Sequence, residues 1–298
     1  IDGRRQRPCA RRQKSIGHLN QSKHIIFKKL PPFEAVFLFL SMHTKPIGVF
    51  DSGIGGLSVL NALKEMLPHE DILYVADQAY TPYGKRTKET ITARAVAITN
   101  WLVAQDCKLV VVACNTATTN AVAQLRAQFS IPFVGIEPAI KPAALGSQTG
   151  VIGVLATAGT LTSTLFQTTS QDYTQGLEVI SQVGHGLVSL VEEGKANSET
   201  TEQQLREILS PMLEKPIDHL VLGCTHYPFL TQTLKKILPK NVTVMDCSAA
   251  VAKQTNRLLD FHNLHNTKGG KTAYYSTATP EIDVWNSFGV AEVKQVEI

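Results

Sequence analysis

Two apolar runs in this chain end in the same kinds of residue. Residues 109–119 read LVVVACNTATT and residues 220–228 read LVLGCTHYP. The first delivers Cys114, Asn115 and Thr116, and the second Cys224, Thr225 and His226. A thiol with a free pKa near ~8.5 becomes a base when a cation or helix N-terminus favours its thiolate, and each cysteine directly precedes a helical segment. Nucleophilic catalysis needs one cysteine and one base. His226, two residues from Cys224, could be that base, but Cys114 is then left without a role. Inverting a carbon centre by proton transfer needs one base on each face, and two cysteines supply both. Asp51 and His226 are candidates to poise one thiol each.

These residues need rigid elements beneath them. Short runs rich in valine read as strands buried on both faces, as in parallel sheets, and open α/β sheets place ligands at the C-terminal strand ends. Residues 47–50 form a first strand, followed by Asp51-Ser52-Gly53-Ile54-Gly55-Gly56 and a helix. The turn lacks the GxGxxG spacing and the P-loop lysine, so it does not read as a phosphate loop. Its glycines permit a tight turn while Asp51 and Ser52 project. Further strands are expected at 71–76, ending at Asp77, at 132–137 and at 242–245, with a late edge strand at 272–276. Helices are expected at 87–104, 199–213, 229–238 and 249–259. Tyr80 and Tyr83 fall in a Pro/Gly loop, where they either line a pocket or cover the core. A helix begins at residue 187, and a solvated face is the plainer reading of Glu192 and Glu193.

The second half repeats the first. Residues 152–160, IGVLATAGT, line up with 47–55, IGVFDSGIG, 105 positions earlier, and set Thr157 opposite Ser52. The expected fold class is therefore α/β. Two similar domains carry parallel-rich sheets flanked by helices, with the active site in the cleft between them. The boundaries read as 42–138 plus 248–298 for the first domain and 139–247 for the second.

Composition narrows the function. The chain has 298 residues, 43% hydrophobic and 18% charged, as in a soluble globular protein. Its net charge of +4 is misleading. Residues 1–29 hold nine of the 29 Lys and Arg but one of the 25 acids, so the remainder carries a net −4. No protein-wide nucleic-acid surface follows. Residues 1–41 lack periodicity and read as a disordered or non-native extension ahead of Met42; a basic arm touching nucleic acid or membrane is the alternative. Their apolar run, 33–40, is far shorter than the ~20 residues of a spanning helix. The five cysteines are scattered, with no CxxC or metal-ligand spacing, which argues against a metal and for a reducing, cytoplasmic setting. Cys107 and Cys247 read as small buried hydrophobes.

DSGIGGLSV, PYG, ACNTAT and GCTHYP, in this order, resemble the glutamate racemases of the aspartate/glutamate racemase superfamily, over roughly residues 45–260. The resemblance implies cofactor-independent, two-base interconversion of L- and D-glutamate, feeding peptidoglycan synthesis. It implies Cys114 and Cys224 as the acid–base pair, with Asp51 and His226 assisting. Ser52, Tyr83, Gly84, Asn115, Thr116 and Thr225 match its substrate-binding positions. Thr157 and Thr160 match a further segment, although Ala156 replaces its usual glycine. Glu192 resembles an additional acid of some members. A homodimer with a small-molecule substrate is the family's expectation. A sister racemase acting on aspartate, and a two-lobed binding protein without chemistry, are the competing readings.

Overall fold

A computed structural model describes residues 43–298; the expectations for residues 1–41 lie outside the described residues. The strands are β1 (Ile47–Asp51), β2 (Ile72–Ala76), β3 (Leu109–Val112), β4 (Phe133–Gly135), β5 (Val151–Ala156), β6 (Glu178–Val183), β7 (His219–Gly223), β8 (Thr243–Met245), β9 (Thr272–Ser276) and β10 (Lys294–Gln295). They form a six-stranded sheet, order β10-β9-β2-β1-β3-β4, and a four-stranded sheet, order β6-β5-β7-β8. Every pairing is parallel, so each connection must cross over, and helices fill the crossovers. The fold is α/β.

The repeat read from the sequence is a repeat of topology. The order β2-β1-β3-β4 in the first sheet is matched by β6-β5-β7-β8 in the second. Ile47 pairs with Leu109 across β1 and β3, and Ile152, its counterpart, pairs with His219 across β5 and β7. Both β1 and β5 are fully buried because they are central and covered on two faces, which is why neither alternates polar with apolar.

One expectation needs correction, and two strands went unread. Residues 272–276 form β9, but not as an edge: β9 is paired on one side with β2 and on the other with β10. The two residues of β10 are exposed and polar, too short to signal a strand. The second sheet's outer strand β6 was missed because its sequence, EVISQV, is half-exposed and carries no continuous apolar run.

The Lys88–Ala104 helix is capped by Thr87, whose hydroxyl accepts the Thr90 N–H at 3.3 Å. One hydrophobic cluster runs through both sheets, from Ile47, Val49 and Ile54 through Leu187 and Val191 to Leu222, Tyr227 and Leu230. It ties the Leu187–Glu192 helix to the turn after β1, the contact on which the site is built.

Candidate active site

Asp51 ends β1, Cys114 stands just beyond β3, and Cys224 just beyond β7. These are C-terminal strand ends, where parallel sheets open a crevice. Cys114 caps the Asn115–Gln128 helix, its sulfur accepting the Ala117 N–H at 3.5 Å. Its thiol donates to Ser52 Oγ at 3.8 Å. Asp51 is completely buried. Its Oδ2 accepts from the Gly56 and Gly53 N–H groups at 2.9 and 3.4 Å, and Oδ1 accepts from Thr225 Oγ1 at 3.4 Å. Thr225 follows β7, so the two halves meet at this carboxylate.

On the other side, Cys224 Sγ lies 3.8 Å from His226 Nδ1, and His226 Nε2 lies 2.6 Å from Glu192 Oε1. The Ile54 N–H donates to the same Glu192 oxygen at 2.7 Å, and Gln78 Nε2 donates to Oε2 at 2.9 Å. Glu192 thus leaves the solvated face expected for it, whereas Glu193 keeps to the surface beside Lys195. Tertiary packing decided this, for the helical pattern of LVSLVEE does not separate the two acids; only the family resemblance does.

The electrostatics of the two cysteine surroundings differ. Burial pushes the Cys114 thiol well up, and the Asp51 carboxylate adds to the effect. The Ala117 N–H pulls the other way and is outweighed, so the expected preference for thiolate at this helix N-terminus is reversed at Cys114. Burial also raises Asp51, against the pull of His226 and of its hydrogen bond with Cys114. For His226, burial opposes charge, but hydrogen bonds with Cys224 and Glu192 outweigh it and raise the imidazole well above the ordinary histidine range.

The glycines of the first turn have a steric reason. A Cβ on Gly53 falls 1.8 Å from Glu192 Oε1, one on Gly55 2.2 Å from His226 Nδ1, and one on Gly56 2.7 Å from Asp51 Cβ. The turn lets charged side chains from both halves press against bare backbone.

The remaining predicted residues divide. Thr116 Oγ1 and Thr157 Oγ1 lie 3.1 Å apart, and Thr157 and Thr160 3.0 Å apart, forming a hydroxyl chain across the halves. Gly84 sits against Thr157. Gly84, Thr157, Gly184, His185 and Ser189 are among the residues lining a cavity of ≈ 80 Å³. Tyr83 is buried, its hydroxyl donating to Asp77 Oδ2 at 2.6 Å, and with Gly84 and Thr116 it also borders a cavity of ≈ 330 Å³. Tyr80 lies under the Arg94 guanidinium, 4.2 Å from its ring centroid. Asn115 is 2% exposed, and both side-chain amide atoms lack a hydrogen-bond partner among the described residues. Such buried orphans are uncommon.

Sequence reasoning missed Gln78 and Tyr74. The Tyr74 hydroxyl donates to Gly53 O at 2.6 Å and braces the turn. In the sequence it is one more apolar letter in β2, without a signal of its own. Among the described residues, no cluster of three or more His, Cys, Asp or Glu is arranged to hold a metal, and no helix is long and apolar enough to cross a membrane.

Two parallel α/β sheets of matching strand order, each with a cysteine just beyond the equivalent strand end, make up a two-lobed architecture. The chain belongs to the Asp/Glu/Hydantoin racemase family, whose model matches residues 47–255. It is similar to the glutamate racemase of Ectopseudomonas mendocina (strain ymp), 46% identical over 234 residues, 78% of this chain and 89% of that protein. The glutamate racemase of Herpetosiphon aurantiacus is 46% identical over 241 residues, 80% of this chain and 95% of its own. Among solved structures, Escherichia coli glutamate racemase in complex with L-glutamate and the activator UDP-MurNAc-ala superposes with TM-score 0.76 at 32% identity, covering 85% of this chain and 98% of that one. Glutamate racemase from Francisella tularensis in complex with D-glutamate gives TM-score 0.74 at 31% identity, covering 86% and 98%.

Proposed function

We propose that this protein interconverts L- and D-glutamate by proton transfer between two cysteines, without a cofactor, and supplies D-glutamate for peptidoglycan synthesis. The observation that carries the reading is the equivalence of Cys114 and Cys224, which end matching strands β3 and β7 beside different partners: Asp51 and Ser52 for the first, His226 and Glu192 for the second. The names of the relatives support glutamate as the substrate.

In this reading one sulfur, as thiolate, takes the α-hydrogen while the opposite thiol gives its proton to the other face of the same carbon. The enantiomer leaves, and the two sulfurs have exchanged protonation states. Burial favours Cys114 as the resting thiol. His226 is the group beside Cys224 able to take up or return its proton. The orphan amide of Asn115 fits an α-amino acid: its oxygen accepts from the ammonium and its nitrogen donates to a carboxylate. Ser52, Gly84, Thr116, Thr157, Thr160 and Thr225 complete the polar lining, with Tyr83 holding the loop that carries Gly84. The burial of both sulfurs suits a water-poor site that strengthens each interaction. We read the lobes as residues 42–138 with 248–298, and 139–247, and the working form as a cytoplasmic homodimer.

The test is chiral chromatography of L-glutamate and L-aspartate incubated with the protein and no added cofactor. Turnover of glutamate alone is expected; turnover of aspartate alone moves the reading to a sister racemase. In D₂O at low conversion, D-glutamate formed from protiated L-glutamate should carry deuterium while recovered L-glutamate stays protiated. Matching deuterium in both sinks the two-base assignment.

A further inference from the structure

The Glu192 carboxylate is held by more than the turn beneath it. Gln78 Nε2 donates to its Oε2 at 2.9 Å. At the other end of the same amide, Gln78 Oε1 accepts from Ser276 Oγ at 2.9 Å and from Trp285 Nε1 at 3.3 Å. The indole nitrogen can only donate, so it fixes the amide's orientation: oxygen to Trp285, nitrogen to Glu192. A flipped amide sets a carbonyl against a carboxylate and an NH₂ against an N–H. Trp285 is fully buried, locked between Tyr74 and Tyr274 with ring centroids 6.3 and 6.4 Å away. The chain of contacts therefore runs from a rigid aromatic cluster through one amide to Glu192, on to His226, and ends at Cys224.

We propose that Gln78 is a positioning residue for the reaction: oriented by Trp285, it aims the Glu192 carboxylate at His226 and so places the imidazole that serves Cys224. The inference rests on the two-cysteine reading for its kinetic consequence, but its geometric content does not. Glu192 Oε1 already serves two donors, Ile54 N and His226 Nε2. Without the pull on Oε2, the carboxylate is free to turn about its terminal bond, and Oε1 leaves one of them. Charge-assisted bonds of this kind are the strong ones in a buried network, where orientation decides the interaction.

The experiment uses the full chain with Gln78→Met, which keeps length and volume but cannot donate, and Trp285→Phe, which keeps a buried ring but releases the amide oxygen. The first readout is spectroscopic. The His226 Nε2–H proton, held in a 2.6 Å bond to a carboxylate, should give a far-downfield ¹H resonance, assigned by its loss in His226→Asn. It should move upfield or broaden in Gln78→Met, and move the same way by less in Trp285→Phe. The second readout is kinetic: kcat should fall ~10-fold or more in Gln78→Met with KM within about twofold, and the loss should vanish in a Glu192→Gln background, because residues acting as a unit are not additive. An unshifted resonance in both variants overturns the proposal, as does an equal loss with and without Glu192. If the wild type racemises no glutamate while the resonance still moves, the substrate reading fails and the positioning stands.

Discussion

Gly53 and Glu192 meet at a distance that leaves no room for a side chain: a Cβ on residue 53 lies 1.8 Å from Glu192 Oε1, the oxygen that also receives the Ile54 N–H and faces His226 Nε2. The first half's turn thus serves as the floor for the second half's acid. The same holds at Gly55, where the imidazole of His226 rests on the backbone.

Gly53→Ala and Gly55→Ala should each cut kcat/KM by ~10²-fold, the scale of a 1 Å misplacement in a catalytic site. Neither position has a positive φ, so the injury is steric and local, and both variants should fold. Gly150→Ala is the contrast: φ is +72° with nothing within 4 Å of the added Cβ. It should lose about 1–2 kcal/mol of stability and keep its kcat/KM. Parallel denaturation and racemisation assays separate the two classes; a folded Gly53→Ala enzyme with full activity removes the floor from the mechanism.

Cys114→Ala and Cys224→Ala should each lower racemisation by at least the ~10²–10⁴-fold typical of a lost general acid or base. Cys107→Ala and Cys247→Ala should spare it. Cys107 precedes β3, at the opposite end of that strand from Cys114, and Cys247 packs into the hydrophobic core after β8, so neither faces the other residues of the site; burial pushes both thiols up to about 12. Full activity in either of the first pair, measured by circular dichroism of the enantiomers, removes that residue from the chemistry.

Asp218 makes a prediction about pH. Its carboxylate accepts from Ser147 Oγ, Gln148 N and Thr149 N at 2.8, 2.6 and 2.9 Å, and lies 2.8 Å from His219 Nδ1, pinning the connection that enters β5. Burial raises its pKa, but the bonds from His219, Thr149, Gln148 and Ser147 win and hold the carboxyl well below its ordinary range. A depressed native pKa contributes stability that is complete above the unfolded value, near ~4, and is lost as pH falls toward the native one. Asp218→Asn should therefore destabilise by roughly 1.5–3 kcal/mol at pH 7, and the gap to wild type in urea unfolding should shrink below about pH 4. A gap that is constant with pH excludes this linkage.

Lys108 and Glu70 form a buried ion pair of 2.5 Å at the opposite end of the first sheet from the cysteines. The ammonium also donates to the His43 and Leu264 carbonyls, and Glu70 accepts the Asn266 N–H, so the pair fastens the segment before β9. Lys108→Met should cost about 3–5 kcal/mol because it strands the carboxylate, while Lys108→Met with Glu70→Leu should recover much of the loss. Chemical denaturation of the three proteins decides it. A double variant as unstable as the single one shows that packing, not the stranded charge, is responsible.

How much of this was legible in the sequence depended on whether a residue's environment was made locally. The central strands were legible because burial on both faces writes itself as a valine-rich run, and the 105-residue offset between 47–55 and 152–160 revealed two sheets of like topology. Cys114 and Cys224 were legible because a thiol flanked by an amide or hydroxyls at the end of such a run stands where parallel sheets open to ligands. Glu192 was legible only through the family resemblance, while its helical pattern pointed to a solvated face, because it is buried by a helix docking on a turn 138 positions away. Gln78 was silent for the same reason: its three partners, Glu192, Ser276 and Trp285, all lie more than 100 residues downstream. The thiolate preference expected at Cys114 failed because a helix terminus acts weakly against complete desolvation.

The return of β9 to the first sheet fixes an order of assembly. Strands β5 to β8 lie together within residues 151–245, so the second sheet can close as soon as that stretch has left the ribosome. The first sheet cannot: β2 keeps a bare edge until residues 272–276 arrive, some 200 positions after it was made. Gln78 waits longer still, for Trp285. A nascent chain that stalls after β8 therefore holds every cysteine and carboxylate of the site without the support that aims them. The amide that holds Glu192 thus gains its Trp285 partner only after both cysteine-bearing strand ends have been made.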